Sequence, residues 1–313
     1  LARNVETGNN VSVFGQVVVD ASGFSAVLQK KLPPEIGVDA NASREDVVIC
    51  YREIREVKEQ ITEPDFCEIY LNQKLSPGGY FWIFPESGMK VNVGLGVAMS
   101  KGFPNPKNRL YNNVLSKPFF KDSSILSGGG HVPTRRPINC MVGNGILIVG
   151  DAAYQVNPIH GGGMGPSMMG GTIAGETIIE ALETGDVSRK NMWSYNVRYM
   201  QSYGVKQAGL DVFRLLLQQL NDEDLNYGMK YRLITEDDLL KTSMGEDVRL
   251  NITEKTRRIF RGVGKLSLLK RLRATVKLIK KMKTLYQNYP ASPEGFDEWK
   301  KKTQDLIEEA GKL

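Results

Sequence analysis

The sequence predicts a protein of mixed α+β / α/β class: part of a doubly wound parallel sheet, an antiparallel β domain and a helical carboxy-terminal region. Three observations carry this. Ile146-Leu147-Ile148-Val149, bounded by Gly145 and Gly150, is a continuous apolar run of the kind found in a parallel strand covered on both faces. Between residues 47 and 97, short β-like segments alternate with turns such as Ser76-Pro77-Gly78-Gly79, which suits an antiparallel sheet. Beyond Asp186 the apolar residues recur mostly at helical spacing.

Residues 11–20 alternate and then run apolar through Val17-Val18-Val19, as a strand entering a buried sheet does, until Asp20-Ala21-Ser22-Gly23 breaks the pattern. The antiparallel segments are expected at 47–52, 67–71, 80–84 and 91–97. A loop and short helix are expected over 104–118, and residues 131–137 lead back to the buried run at 146–149. The next helix is expected over 165–183, with Gly170 and Gly171 allowing close packing and Gly185 ending it. Further helical pieces are expected at 190–220, 236–241, 252–260, 267–289 and 296–310. The division that follows is 1–25 with 143–186 as one domain, 26–142 as the antiparallel domain, and 187–313 as the helical domain.

At 313 residues, 41% hydrophobic and 24% charged, the chain is large enough for this organisation. Cys50, Cys67 and Cys140 are too widely spaced for a metal knuckle and too few for a disulfide scaffold, so a reducing, cytoplasmic setting is expected. The first residue is Leu1, with no signal or transit pattern, and the start reads as a truncation. No apolar run approaches the roughly 18 residues needed to cross a bilayer, so any membrane contact is expected to be peripheral. Residues 255–283 hold twelve Lys or Arg and no acidic residue, with leucines between them at helical spacing. That amphipathic stretch admits two readings, a solvated face on a helix docked to the core or a membrane-surface helix. Nucleic-acid binding is disfavoured, because no fold motif or aromatic stacking platform accompanies the charge.

Chemistry is concentrated at 145–171. Gly150-Asp151-Ala152-Ala153 follows a buried strand, where doubly wound sheets bind cofactors, and an Asp there can accept from a ligand hydroxyl. In Pro158-Ile159-His160-Gly161-Gly162-Gly163-Met164-Gly165 the glycines let backbone amides approach a planar ligand at a helix N-terminus. The alternative is a Gly-rich turn that serves packing alone. Farther upstream, Tyr80, Trp82 and Phe84 alternate along a strand and share one face, either an aromatic wall or an ordinary core face.

These residues resemble known families. Gly150-Asp151-Ala152-Ala153, Pro158 and Gly161 to Gly165 resemble the flavin-ribityl motif shared by aromatic hydroxylases, electron-transfer flavoprotein oxidoreductases and geranylgeranyl reductases. Val18-Val19-Asp20-Ala21-Ser22-Gly23 resembles that group's second strand and turn. Tyr70, then Gly79-Tyr80-Phe81-Trp82-Ile83-Phe84-Pro85, then Gly94-Leu95-Gly96 resemble the geranylgeranyl reductase signature, Tyr-x-Trp-x-Phe-Pro followed by Gly-x-Gly. Val132 to Pro137, Asn157 to Gly163 and Asn226-Tyr227-Gly228-Met229 resemble the archaeal branch, the digeranylgeranylglycerophospholipid reductases.

The resemblance implies an FAD-binding fold of the p-hydroxybenzoate hydroxylase/glutathione-reductase type, here lacking its first βαβ unit. It implies FAD held by Ala21, Gly150, Asp151, Ala152, Pro158, Gly161, Gly162, Gly163, Met164 and Gly165. The lipid would be held by Tyr70, Gly79, Tyr80, Trp82, Phe84, Pro85, Gly94 and Gly96. The implied activity is reduction of the double bonds of geranylgeranyl chains by reduced FAD, with ferredoxin or NADPH as electron donor. His160 is the candidate proton donor, against a scaffolding role. Arg135 and Arg136 are candidates for a phosphate, against a structural ion pair. The rival functions are an FAD-dependent monooxygenase and a non-catalytic membrane- or lipid-binding fragment.

Overall fold

The computed structural model describes residues 2–39, 43–86, 88–102, 104–231 and 265–313. In chain order its strands are β1 (Ala2–Arg3), β2 (Asn10–Val11), β3 (Val18–Asp20), β4 (Val47–Val57), β5 (Glu68–Tyr70), β6 (Phe81–Pro85), β7 (Lys90–Ala98), β8 (Phe120–Pro133), β9 (Val142–Gly143) and β10 (Ile146–Ile148). The α-helices are α1 (Pro106–Leu110), α2 (Met164–Thr184), α3 (Ser194–Tyr199), α4 (Val205–Leu217), α5 (Asp222–Lys230), α6 (Leu266–Gln287) and α7 (Phe296–Gly311). The helices expected at 236–241 and 252–260, and the start of the basic stretch, lie outside the described residues.

Two sheets position the site. In the smaller one β10 pairs parallel with β3 and antiparallel with β9. Val18 and Val19, expected in a buried sheet, are 43% and 40% exposed, because β3 is the edge of that sheet. The larger sheet is antiparallel in the order β5-β6-β7-β4-β8.

β8 has no counterpart among the expected strands. Its Ser127-Gly128-Gly129-Gly130 run lacks the β-branched and aromatic residues that mark a strand, and pairing along most of β4 holds it extended instead. One face of this sheet, with Val57, Val91, Val93, Leu95 and Val97, packs on Leu110 and Val114 in a core of its own. The other face looks toward the helices.

The expected helix over 190–220 is broken. Ser194–Tyr199 passes into a π-helical turn at Met200–Gly204 before Val205–Leu217 resumes the α-helix. α5 starts where Asn221 accepts the Asp224 N–H at 2.9 Å, with Asp222, Glu223 and Asp224 at the positive end of the helix. α2 ends as expected, with Gly185 at φ 69°. On α6 the apolar stripe, including Leu268, Leu269, Leu272, Ile279 and Met282, is buried in the main core, while Lys270, Arg273, Lys277, Lys280 and Lys281 stay exposed. This half of the basic stretch is therefore a helix docked to the core, with a solvated cationic face. No helix among the described residues is long and apolar enough to cross a membrane.

A buried ionic cluster fixes α4 against the sheet. Arg135 Nη1 lies 3.2 Å from Asp46 Oδ2, Arg214 Nη2 lies 3.1 Å from Asp46 Oδ1 and 2.7 Å from Asp211 Oδ1, and Arg136 Nη1 lies 3.1 Å from Asp211 Oδ2. Arg135 and Arg136 thus join β8 to α4 through carboxylates. Their role in this structure is an ion pair.

Candidate functional site

Asp20 and Ile148 are register partners at the carboxyl ends of parallel strands, and the Val149 N–H donates to the Asp20 carbonyl at 3.0 Å. Ala21, exposed, and Gly150 therefore leave the sheet side by side at the edge where doubly wound sheets hold cofactors. Gly150-Asp151-Ala152-Ala153 forms a 3₁₀ turn, with Gly150 at φ 65° and Tyr154 after it at φ 57°. The Gly150 N–H is held by Gln155 Oε1 at 2.8 Å, and Ala152 is buried beneath the turn. Burial alone raises the pKa of Asp151; among the described residues no hydrogen bond or cation acts to lower it. A half-buried acceptor in that state is matched to ligand hydroxyls.

The loop that follows is tied by its own backbone. The Asn157 N–H donates to the Gly162 carbonyl and the Gly161 N–H to the Asn157 carbonyl, both at 2.9 Å. Pro158 starts the bend, Gly161 takes φ 73°, and a Cβ on Gly163 would sit 3.0 Å from Asp151 Oδ1. α2 then begins at Met164 without a side-chain cap; Pro166 has no N–H and the Ser167 N–H donates to the Gly163 carbonyl, so among the described residues the Met164 and Gly165 amides are those open to a ligand acceptor. Met164 is 85% exposed, and a Cβ on Gly165 would meet nothing within 4 Å, so the approach is open. The free carboxylate, uncapped amides and glycine-lined approach fit a flavin and its ribityl chain.

His160 Nδ1 accepts the Gly162 N–H at 3.1 Å, which places the ring hydrogen of the neutral form on Nε2. Partial burial lowers the His160 pKa, so the neutral form is favoured. The Tyr80 hydroxyl donates to the His160 carbonyl at 2.7 Å and joins the aromatic strand to this loop.

Between the loop, the sheet and the helices lies a cavity of ≈ 440 Å³. Gly79, Tyr80, Trp82 and Gly96 form part of the sheet wall, and Pro158, His160 and Gly161 part of the loop wall. The rings of Tyr80 and Trp82 are 5.7 Å apart and those of Trp82 and Phe84 6.0 Å, so the three do share a face. Phe84, Pro85 and Gly94 lie outside the cavity wall. Gly94 acts through Trp82 instead, since a Cβ there would sit 2.2 Å from Trp82 Cζ2. Gly79 is held against the Gly96 carbonyl, 2.3 Å from where its Cβ would be. Tyr70, 40% exposed on the edge strand, stacks on Phe81 at 4.3 Å.

The opposite wall was not foreseen from the sequence. It comes from Phe213 and Leu217 of α4, Leu225 and Met229 of α5, and Leu268 and Leu272 of α6. Each pair is spaced i,i+4, the signal of a helix face but not of what that face touches. Val48, Cys50 and Arg52 of β4 were also missed. Burial pushes the Cys50 thiol up to about 12, and the Tyr80 hydroxyl likewise to about 12, so both keep their protons at neutral pH.

Comparison with known proteins bears on this arrangement. A family model described as the geranylgeranyl reductase catalytic domain matches residues 46–132, the segment from β4 to the end of β8. The digeranylgeranylglycerophospholipid reductase of Sulfolobus acidocaldarius is 41% identical over 312 residues, covering 99% of this chain and 69% of that protein. The protein of that name from Methanothrix thermoacetophila is 31% identical over 225 residues, 72% of this chain and 56% of its own. The crystal structure of a geranylgeranyl bacteriochlorophyll reductase-like protein from Thermoplasma acidophilum superposes with a TM-score of 0.60 at 23% identity, covering 93% of this chain and 62% of that one, which shows a shared fold. A flavoprotein/dehydrogenase from Cytophaga hutchinsonii superposes at 0.51 with 16% identity over 85% of this chain. The chain thus has the mixed α/β flavoprotein fold and spans between half and about two thirds of these proteins. With 41% identity over 99% of its own length and 69% of the Sulfolobus protein's, the chain belongs to the digeranylgeranylglycerophospholipid reductase family.

Proposed function

We propose that the full-length protein is an FAD-dependent oxidoreductase that saturates the C=C bonds of geranylgeranyl chains in membrane lipids or their precursors. The observation that carries this is the apolar cavity bounded on one side by the glycine loop at the start of α2 and on the other by Tyr80 and Trp82. Its volume falls within the range of about 300–1,000 Å³ common to small-molecule sites. Reduced FAD, when bound, supplies the hydride for an isolated alkene.

The chain's own residues supply the rest. Asp151 would accept ribityl hydroxyls, and the amides at Gly163 to Gly165 would meet the electron-rich edge of the ring. Trp82, Leu217 and Leu272 hold the alkene and exclude water, each buried methylene contributing about 0.8 kcal/mol. His160 and Cys50 both line the cavity, and His160, with its ring hydrogen on Nε2, is the proton donor in this reading. Electrons arrive from ferredoxin or NADPH. The lipid reaches the cavity from a membrane surface, with the exposed cationic face of α6 toward anionic head groups.

The test is anaerobic incubation of the dithionite-reduced, full-length protein with a geranylgeranyl lipid. A gain of two hydrogens per double bond by mass spectrometry supports the reductase. Product that forms only when oxygen is admitted, and that carries an added oxygen, would instead indicate a monooxygenase.

A further inference from the structure

The cavity wall reaches the surface where β5 meets α5. Of the large apolar side chains that line it, those exposed among the described residues are Leu71 at 45% and Met229 at 59%. The turn after β5 is tied to the start of α5, with the Gln73 N–H donating to Asp222 Oδ1 at 2.6 Å. Ile69, also exposed, is the register partner of Trp82 and extends the apolar rim along the same face of the sheet.

Gly228 marks the passage inward. It lines the cavity one turn along α5 from Asp224 and Leu225, and among the described residues a Cβ there would meet nothing within 4 Å. No packing contact calls for a glycine at this point, although glycine inside a helix is less stable than alanine. Its missing side chain leaves width at the rim. Beside it the rings of Tyr227 and Tyr231 lie 5.8 Å apart, with Lys265 Nζ 5.6 Å from the first and Lys230 Nζ 5.7 Å from the second. Tyrosine has an apolar body and a polar tip, and a lysine stem can lie on apolar surface while its ammonium stays in water. Both therefore suit the boundary between hydrocarbon and head groups. Lys74 and Lys230 are exposed, whereas Glu223 and Asp224 are paired with Lys265.

We propose that the mouth between Leu71 and Met229 is the face that docks on a lipid bilayer, so that a polyprenyl chain passes from the membrane into the cavity along Gly228 without crossing water. An apolar rim continuous with a cavity for such a chain matches the hydrocarbon in which the chain is dissolved, and the lysines beside it match anionic head groups. The proposal rests on the reductase reading above and adds the surface through which its substrate arrives.

The experiment measures sedimentation of the full-length, flavin-loaded protein with vesicles of phosphatidylcholine and phosphatidylglycerol in equal parts. Wild type is compared with Leu71→Glu, Met229→Glu and Met89→Glu, the last at an exposed apolar position at the far end of the β6–β7 hairpin. All three sites are exposed, so each variant should keep its Tm within about 2 °C of wild type. Each mouth variant should partition at least about tenfold more weakly, the effect of withdrawing one such side chain from burial, and Met89→Glu should stay within about twofold of wild type. Wild-type partition by either mouth variant overturns the proposal and leaves the α6 cations as the membrane contact. An equal loss in Met89→Glu, or a wild type that does not sediment with the vesicles, also overturns it. Failure of the reduced protein to saturate a geranylgeranyl lipid dispersed in detergent overturns the reductase reading itself, a separate outcome.

Discussion

Gly170 and Gly171 are neighbours in α2, yet alanine at the two positions should act in opposite directions. A Cβ on Gly170 would lie 2.0 Å from Gln155 Oε1, 2.6 Å from its Cδ and 2.8 Å from its Nε2. Gln155 is fully buried; its Oε1 accepts the Gly150 N–H at 2.8 Å and its Nε2 donates to the Tyr195 hydroxyl at 2.8 Å. Displacing that amide leaves buried polar groups unpaired at about 1–3 kcal/mol each, so Gly170→Ala should cost about 2–5 kcal/mol. It should also loosen the turn that presents Asp151. At Gly171 a Cβ meets nothing within 4 Å, and Gly171→Ala should gain roughly 0.8–1 kcal/mol from helix propensity. Thermal unfolding followed by circular dichroism reads both. Gly170→Ala should lower Tm by about 5 °C or more and weaken flavin retention, while Gly171→Ala should raise Tm by about 2 °C. Shifts of the same sign and size would refute the role given to Gln155.

Three further outcomes follow from the same structure. Tyr80→Phe removes the 2.7 Å hydrogen bond to the His160 carbonyl and should cost about 1 kcal/mol, read as a Tm lower by about 2 °C and as faster flavin loss on dilution. Leu217→Arg places a charge in the cavity wall and should lower kcat/KM for a lipid by about tenfold or more while flavin binding persists; unchanged turnover would show that the lipid lies elsewhere. At Asp20, burial by itself raises the pKa, but hydrogen bonds from the Ser22 hydroxyl and from the Gln29, Ser22 and Leu28 N–H groups outweigh it and hold the carboxyl below its usual value of 3.8. A depressed folded-state pKa gives stability that is present above the unfolded value and is lost as pH falls through the folded one. Asp20→Asn should therefore lower Tm at neutral pH and flatten its fall below about pH 4; an unchanged acid limb would count against the stabilising role of these hydrogen bonds.

The parts of the site legible in the sequence are those built from contiguous residues. Gly150 to Gly165 encodes a strand end, a turn and a helix start in one run, and the alternation of Tyr80, Trp82 and Phe84 reports a shared face directly. What remained hidden depends on contacts between distant segments. Phe213 with Leu217, and Leu268 with Leu272, have the spacing of any core-facing helix, and nothing local distinguishes a wall packed on protein from a wall packed on a ligand. The basic stretch shows the same limit, because its apolar stripe suits a membrane surface or a protein core equally well until α6 is seen to bury it. β8 escaped notice because three glycines erase its propensity, and pairing with β4 holds it extended.

The most direct measurement is a single turnover without oxygen. Full-length protein, with its flavin reduced and the excess reductant removed, is mixed with geranylgeranyl lipid while flavin absorbance is followed. If the cavity under the glycine loop is where the alkene reacts, the yellow absorbance returns with one flavin oxidised per double bond lost, and Leu217→Arg slows the return. A flavin that stays reduced until oxygen is admitted, with the lipid mass unchanged, would contradict it.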